Sequence, residues 1–166
     1  MKRGSRLNVS GSRWTVIAVL VLGFSVHVAA ADRDCTWNTF RGSRAQTGYY
    51  SCDVPDEPEL AWTYEAGTSV QSTAAIVKNA AYVGTDAGEV LALSLQDGEL
   101  LWKHKIEAPV RAAPAVKGGR VYVGSLDGAF YALNASDGKV AWKHETNGKI
   151  ISSANFAGKT VLVGSY

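Results

Sequence analysis

The chain has 166 residues, with 17 Lys and Arg against 15 Asp and Glu and 46% apolar residues, enough to build a domain with a sizeable core. Lys2, Arg3, Arg6 and Arg13 fall in the first 31 residues, which hold no acid, leaving thirteen basic groups against fifteen acidic ones beyond them. A near-neutral chain without blocks of Lys or Arg has no electrostatic footprint for a phosphate backbone, so nucleic acid is excluded as an expected partner.

The basic start is followed by an apolar run from Trp14 to Val28 and then by Ala29-Ala30-Ala31, the pattern of a cleaved secretory signal over residues 1–31. The run is about 15 residues long and is broken by Gly23, Ser25 and His27, short of the roughly 20 needed to span a bilayer. No membrane span is therefore expected after cleavage, and the mature chain is expected in the periplasm, at the envelope or outside the cell. Residues 32–61 form a lead-in segment holding both cysteines, Cys35 and Cys52. Paired thiols in an oxidising compartment form a disulfide. Its loop of about 16 residues would be stabilised by about 3 kcal/mol in the chain-entropy account. The charged run Asp32-Arg33-Asp34 before Cys35 argues against a lipid anchor there.

From Trp62 onward the sequence repeats. Trp62, Trp102 and Trp142 stand forty residues apart, and Tyr82-Val83-Gly84 returns as Tyr122-Val123-Gly124 and as Leu162-Val163-Gly164. In the first full copy, Thr73 to Val77 and Ala81 to Gly84 read as a hairpin around Lys78-Asn79. Glu89 to Leu95 and Glu99 to Lys105 follow the Asp86-Ala87-Gly88 and Asp97-Gly98 turns. The second copy runs from Ala113 to Val116, Val121 to Ser125, Ala129 to Asn134 and Lys139 to Glu145, and a third begins at Ser153. Four antiparallel strands per forty residues match one blade of a β-propeller. In the third strand Leu91, Leu93 and Leu95 point one way and Val90 and Ala92 the other, so both faces must be covered, as in a sheet pressed between two others.

Each repeat assigns mechanical roles. Trp102 and Trp142 are expected to wedge between neighbouring blades, with Ala92 and Ala132 leaving room. Gly98 and Gly138 provide the positive turn angle and a flat seat for an indole. Gly84, Gly124 and Gly164 read as close backbone approaches near the central channel. Asp86, Asp97, Asp127 and Asp137 lie at or beside turn glycines and read as turn residues. His104 and His144, each after Trp-Lys on an outer strand, read as surface residues of successive blades, not as a metal pair. Asn134-Ala135-Ser136 spells a glycosylation sequon but falls within a turn. No Ser/His/Asp set, phosphate-cradling loop or zinc spacing is present.

The run Ala-x-x-x-x-Asp-Gly-x-x-x-Trp at 92–102 and 132–142 resembles the tryptophan-docking motif of pyrroloquinoline-quinone-type (PQQ-like) propeller repeats, with Asp97 and Asp137 where that family usually has Thr. Trp37-Asn38-Thr39-Phe40-Arg41-Gly42, followed by Thr47-Gly48, is similar to the lead-in of secreted bacterial members. The resemblance implies an all-β propeller of four-stranded blades over 62–166, of which about two and a half are present, the others being supplied by the rest of a longer chain. It also implies one of two functions. The first is an exported, non-catalytic propeller that binds proteins through its rim loops, similar to BamB-type outer-membrane assembly propellers, with no cofactor expected. The alternative is the N-terminal part of a PQQ-dependent dehydrogenase, an enzyme that holds the quinone and calcium over the propeller axis. The carboxylate and amide cage, catalytic Asp and adjacent cysteines of that alternative are not recognisable, so no catalytic, cofactor or metal residue is assigned.

Overall fold

The computed structural model describes residues 36–49, 52 and 55–166. The expected signal and Cys35 lie outside the described residues. Ten strands and no helix occur among the described residues. β1 (Ala75–Val77), β2 (Ala80–Gly84), β3 (Glu89–Ser94) and β4 (Leu100–Lys105) form an antiparallel sheet in chain order. β5 (Ala115–Lys117), β6 (Arg120–Gly124), β7 (Ala129–Asn134) and β8 (Val140–Glu145) form a second. The hairpin β9 (Asn155–Ala157) and β10 (Thr160–Leu162) opens a third. The two full sheets and the hairpin are successive blades of a β-propeller.

The first strand of each blade is shorter than its sequence suggests. A side chain accounts for this in blades one and three. The Ser72 hydroxyl donates to Gly84 O at 3.1 Å and accepts from Gly84 N–H at 3.0 Å. Ser152 repeats both bonds with Gly164 at 2.9 and 3.0 Å. The hydroxyl thus satisfies the backbone groups that another ladder pair would have used.

Burial follows the propeller arrangement. Val90 to Ser94 of β3 and Ala129 to Leu133 of β7 are buried on both faces, whereas every residue of β8 and most of β4 are exposed. One core cluster joins Tyr82, Val90 and Ala92 of the first sheet to Val121, Val123, Tyr131 and Leu133 of the second. A second joins the opposite face of that sheet, through Phe130 and Ala115, to Ala154 and Phe156 of the hairpin. Between sheets, β1 and β5 approach each other, which places the first strands innermost. The outer edges carry Lys103, Lys105 and Lys143, charges that discourage pairing with another chain.

Gly84 and Gly124 mark close approaches, whereas a Cβ on Gly164 would meet only the Ser152 hydroxyl, at 3.4 Å. A Cβ on Gly84 would lie 2.5 Å from Val110, and one on Gly124 2.0 Å from Ile150. Their neighbours are the connections leading into the next blades, so these glycines set the spacing between blades. His104 on β4 packs against Tyr131 of the next sheet, ring centroids 6.3 Å apart, and its burial there lowers its pKa.

Two stability measurements follow from this packing. Trp102→Ala should cost about 3–5 kcal/mol in urea unfolding, the range for truncating a large aromatic, because the partly buried indole packs between the two sheets. The lowered pKa of His104 means that the folded state binds fewer protons there than the unfolded chain. Its contribution is therefore complete above the unfolded value near 6.5 and falls away as pH drops through the folded value. His104→Gln should flatten the thermal-midpoint profile below about pH 6.5, and a profile as steep as that of the parent would contradict the assignment.

Candidate functional site

Gly98 and Gly138 close the turns between the third and fourth strands with φ of 75° and 69°, a region that L side chains avoid. Asp97 and Asp137 tighten these turns by accepting the N–H groups of Glu99 and Lys139 at 3.1 and 3.0 Å. Hydrogen bonding holds both carboxyls below the usual range, from the Ser94 hydroxyl and Glu99 N–H at Asp97 and from Lys139 N–H and the Asn134 side chain at Asp137. Each glycine presents bare backbone to the indole of the preceding repeat. A Cβ on Gly98 would stand 2.6 Å from the Trp62 ring, and one on Gly138 2.5 Å from the Trp102 ring. Indole N–H groups complete the dock: Trp62 Nε1 donates to Leu95 O and Trp102 Nε1 to Ala135 O, both at 2.9 Å.

The structure thus brings together Trp102, Gly138 and Ala135 across one blade boundary and Trp62, Gly98 and Leu95 across the one before it. Ala92 and Ala132 are the ladder partners of Trp102 and Trp142, each beside a bulge, so a small residue lies opposite each indole. Trp142 has no glycine beneath it among the described residues. It packs instead against Tyr122 and Phe130 at centroid distances of 5.9 and 5.8 Å and is 41% exposed. Residues 60–65, the counterpart of β4 one repeat earlier, form no ladder among the described residues. The Trp62 dock holds them in the outer-strand position.

Sequence reasoning missed the path of the lead-in. Trp37 exchanges two backbone hydrogen bonds of 2.8 Å with Ile76 on β1. Asn38 O accepts Val116 N–H of β5 at 2.7 Å. The Thr39 hydroxyl, 1% exposed, donates to Ala154 O at 3.0 Å, and Asn155 Nδ2 reaches Arg44 O at 3.2 Å. In eight residues this strap crosses the inner strands of all three blades, on the side facing the propeller axis. The Trp37 ring covers Gly42, where a Cβ would sit 3.0 Å away. Trp37 and Gly42 were the available signal, a smaller copy of the indole-on-glycine pairing. Cys52 is disulfide-bonded, and Cys35, the other cysteine of the expected pair, lies outside the described residues.

Between the strap and the blade connections lies a cavity of about 320 Å³ lined by Phe40, Gln46, Gln71, Thr73, Arg111 and Ser153, among others. Its cation is neutralised. Arg111 Nε donates to Asp86 Oδ1 at 2.9 Å and Gln71 Nε2 to Asp86 Oδ2 at 2.7 Å. Asp86 therefore ties its turn to the next blade connection, unlike Asp127, which accepts Ala129 N–H and the Ser125 hydroxyl within its own turn. Calcium takes six to eight oxygen ligands, including several carboxylates. The lining amides and hydroxyls around an engaged Asp86 do not provide that set. No group of three or more His, Cys, Asp or Glu suited to a metal occurs among the described residues, and His104 packs instead against Tyr131. No helix among the described residues is long and apolar enough to cross a membrane.

Comparison with solved structures returns propellers. BamB from Moraxella catarrhalis matches 64% of this chain and 35% of its own at 24% identity, with a TM-score of 0.57. Quinohemoprotein alcohol dehydrogenases from Comamonas testosteroni and Pseudomonas putida HK5 each match at 23% identity over 24% of their own length. They cover 83% and 84% of this chain, with TM-scores of 0.68 and 0.69. The chain thus spans about a quarter to a third of the structures it matches, and identities this low speak to the fold alone. No curated protein sequence matches it. The family model described as "Outer membrane protein assembly factor BamB" matches residues 54–165, most of the chain and all ten strands, and the protein belongs to that family of PQQ-like repeat propellers.

Proposed function

We propose that this chain is part of an exported, non-catalytic propeller that serves as a protein-binding scaffold in the bacterial envelope, in the manner of the assembly factor that describes its family. The observation that carries the reading is the match of the BamB family model to residues 54–165. Residues 37–44 hydrogen-bond across three inner strands and so cover their axis-facing side. The cavity left there is walled by a paired Arg111 and neutral side chains, which supports a role without quinone or calcium. Export is supported by the basic, apolar and small-residue order of residues 1–31.

The high coverage of this chain by the two alcohol dehydrogenases favours a second reading, the N-terminal part of a quinone-dependent dehydrogenase. Full-length protein given the quinone, calcium and a panel of alcohols and sugars should leave an artificial electron-accepting dye unreduced. A photo-crosslinking residue in place of Glu107, on a rim connection, should capture a discrete envelope protein in living cells. Dye turnover above the protein-free blank would overturn the scaffold reading in favour of the enzyme.

A further inference from the structure

The three repeats differ at one turn in a way their shared fold does not require. Gly118 and Gly158 occupy the first turn position of the second and third hairpins with φ of 58° and 59°, and the matching residue of the first is Lys78, with φ of 56°. A lysine in this left-handed conformation is strained where glycine is not. Nothing in the turn itself repays that strain. The glycines show that no side chain is needed there, since a Cβ on either meets nothing within 4 Å. Lys78 makes no hydrogen bond or ion pair among the described residues. A strained residue of this kind, kept where a relaxed one would serve the fold, points to a task for its side chain.

Lys78 borders a groove of about 620 Å³ between the first two blades, within the size range of small-molecule sites. Val77, Tyr82, Leu101 and Val116 give it an apolar lining, and no Asp or Glu is among the described residues around it. Leu101 is 54% exposed at its mouth, an aliphatic side chain left in water beside a free cation. Lys117, also on the groove, directs its ammonium away to Gly158 O at 2.5 Å and over the Phe156 ring. Lys78 is therefore the available charge, and Asn79 beside it adds an amide donor.

We propose that this groove binds a free amphiphilic anion, an aliphatic chain ending in a carboxylate, with the chain along Leu101, Val77 and Val116 and the carboxylate on the Lys78 ammonium. The site goes beyond the scaffold reading and does not depend on it. Decanoate is the probe, titrated by calorimetry into the full-length protein with decanol as the uncharged control. One saturable site is expected, with decanol weaker by about tenfold or more, the scale of a lost charge-assisted bond. Lys78→Gly restores the residue of the other repeats, so it should keep or raise the thermal midpoint while weakening decanoate by about tenfold or more. Leu101→Asp, at an exposed position, should fold and also lose binding. Equal affinity for decanol, unchanged binding by Lys78→Gly, or co-sedimentation with phosphatidylglycerol vesicles in place of decanoate binding would overturn the proposal.

Discussion

The structure depends on an indole resting on bare backbone. A four-stranded sheet with apolar side chains on both faces cannot be soluble by itself, and each blade here must be covered twice. The docked tryptophan sets where that cover sits. Its ring needs a surface with no Cβ, which the turn glycine provides at a φ other residues avoid, and its N–H needs an acceptor, which the neighbouring turn carbonyl provides. Packing fixes the separation of the blades and the hydrogen bond fixes their offset. Neither alone determines how far one sheet is rotated from the next.

The same contact explains why the ends of the described region differ from its middle. Trp62 is docked although its strand has no ladder, so the dock is independent of completing the sheet that carries the indole. Trp142 has a complete ladder and remains 41% exposed without a glycine beneath it. Sheet pairing and blade docking are thus separate interactions, one within a repeat and the other between repeats. This separation makes a repeat array extendable, since a new unit brings the glycine that its predecessor's tryptophan needs.

What the sequence disclosed was what recurs in it. The tryptophans, turn glycines and apolar triplets return every forty residues, and blade order, strand order and double-sided burial follow from that recurrence. Features present in one copy were hidden. Asp86 reads as a turn residue beside its equivalents, yet it pairs with Arg111, whose counterparts are Gln71 and Ile151. Lys78 reads as half of a turn, and its strain is visible only against the φ of Gly118 and Gly158. The start of the first blade's inner strand was misplaced because the Ser72 hydroxyl takes over backbone bonds that pattern reading assigns to a ladder. The strap was the least legible, because no periodicity announces contacts between an irregular segment and three strands far along the chain.

That strap has a consequence for the order of assembly. Each indole dock joins residues 33 positions apart, so a blade can be secured soon after its successor is made. Thr39 must wait for Ala154, 115 positions later, and loops of that span close slowly. A polypeptide synthesised from its amino terminus therefore emerges with its clasp first and completes it last. Until the third hairpin arrives, the leading segment is held only by the bonds of Trp37 to Ile76 and of Asn38 to Val116. Its fastening marks the moment at which three neighbouring units have come to rest side by side.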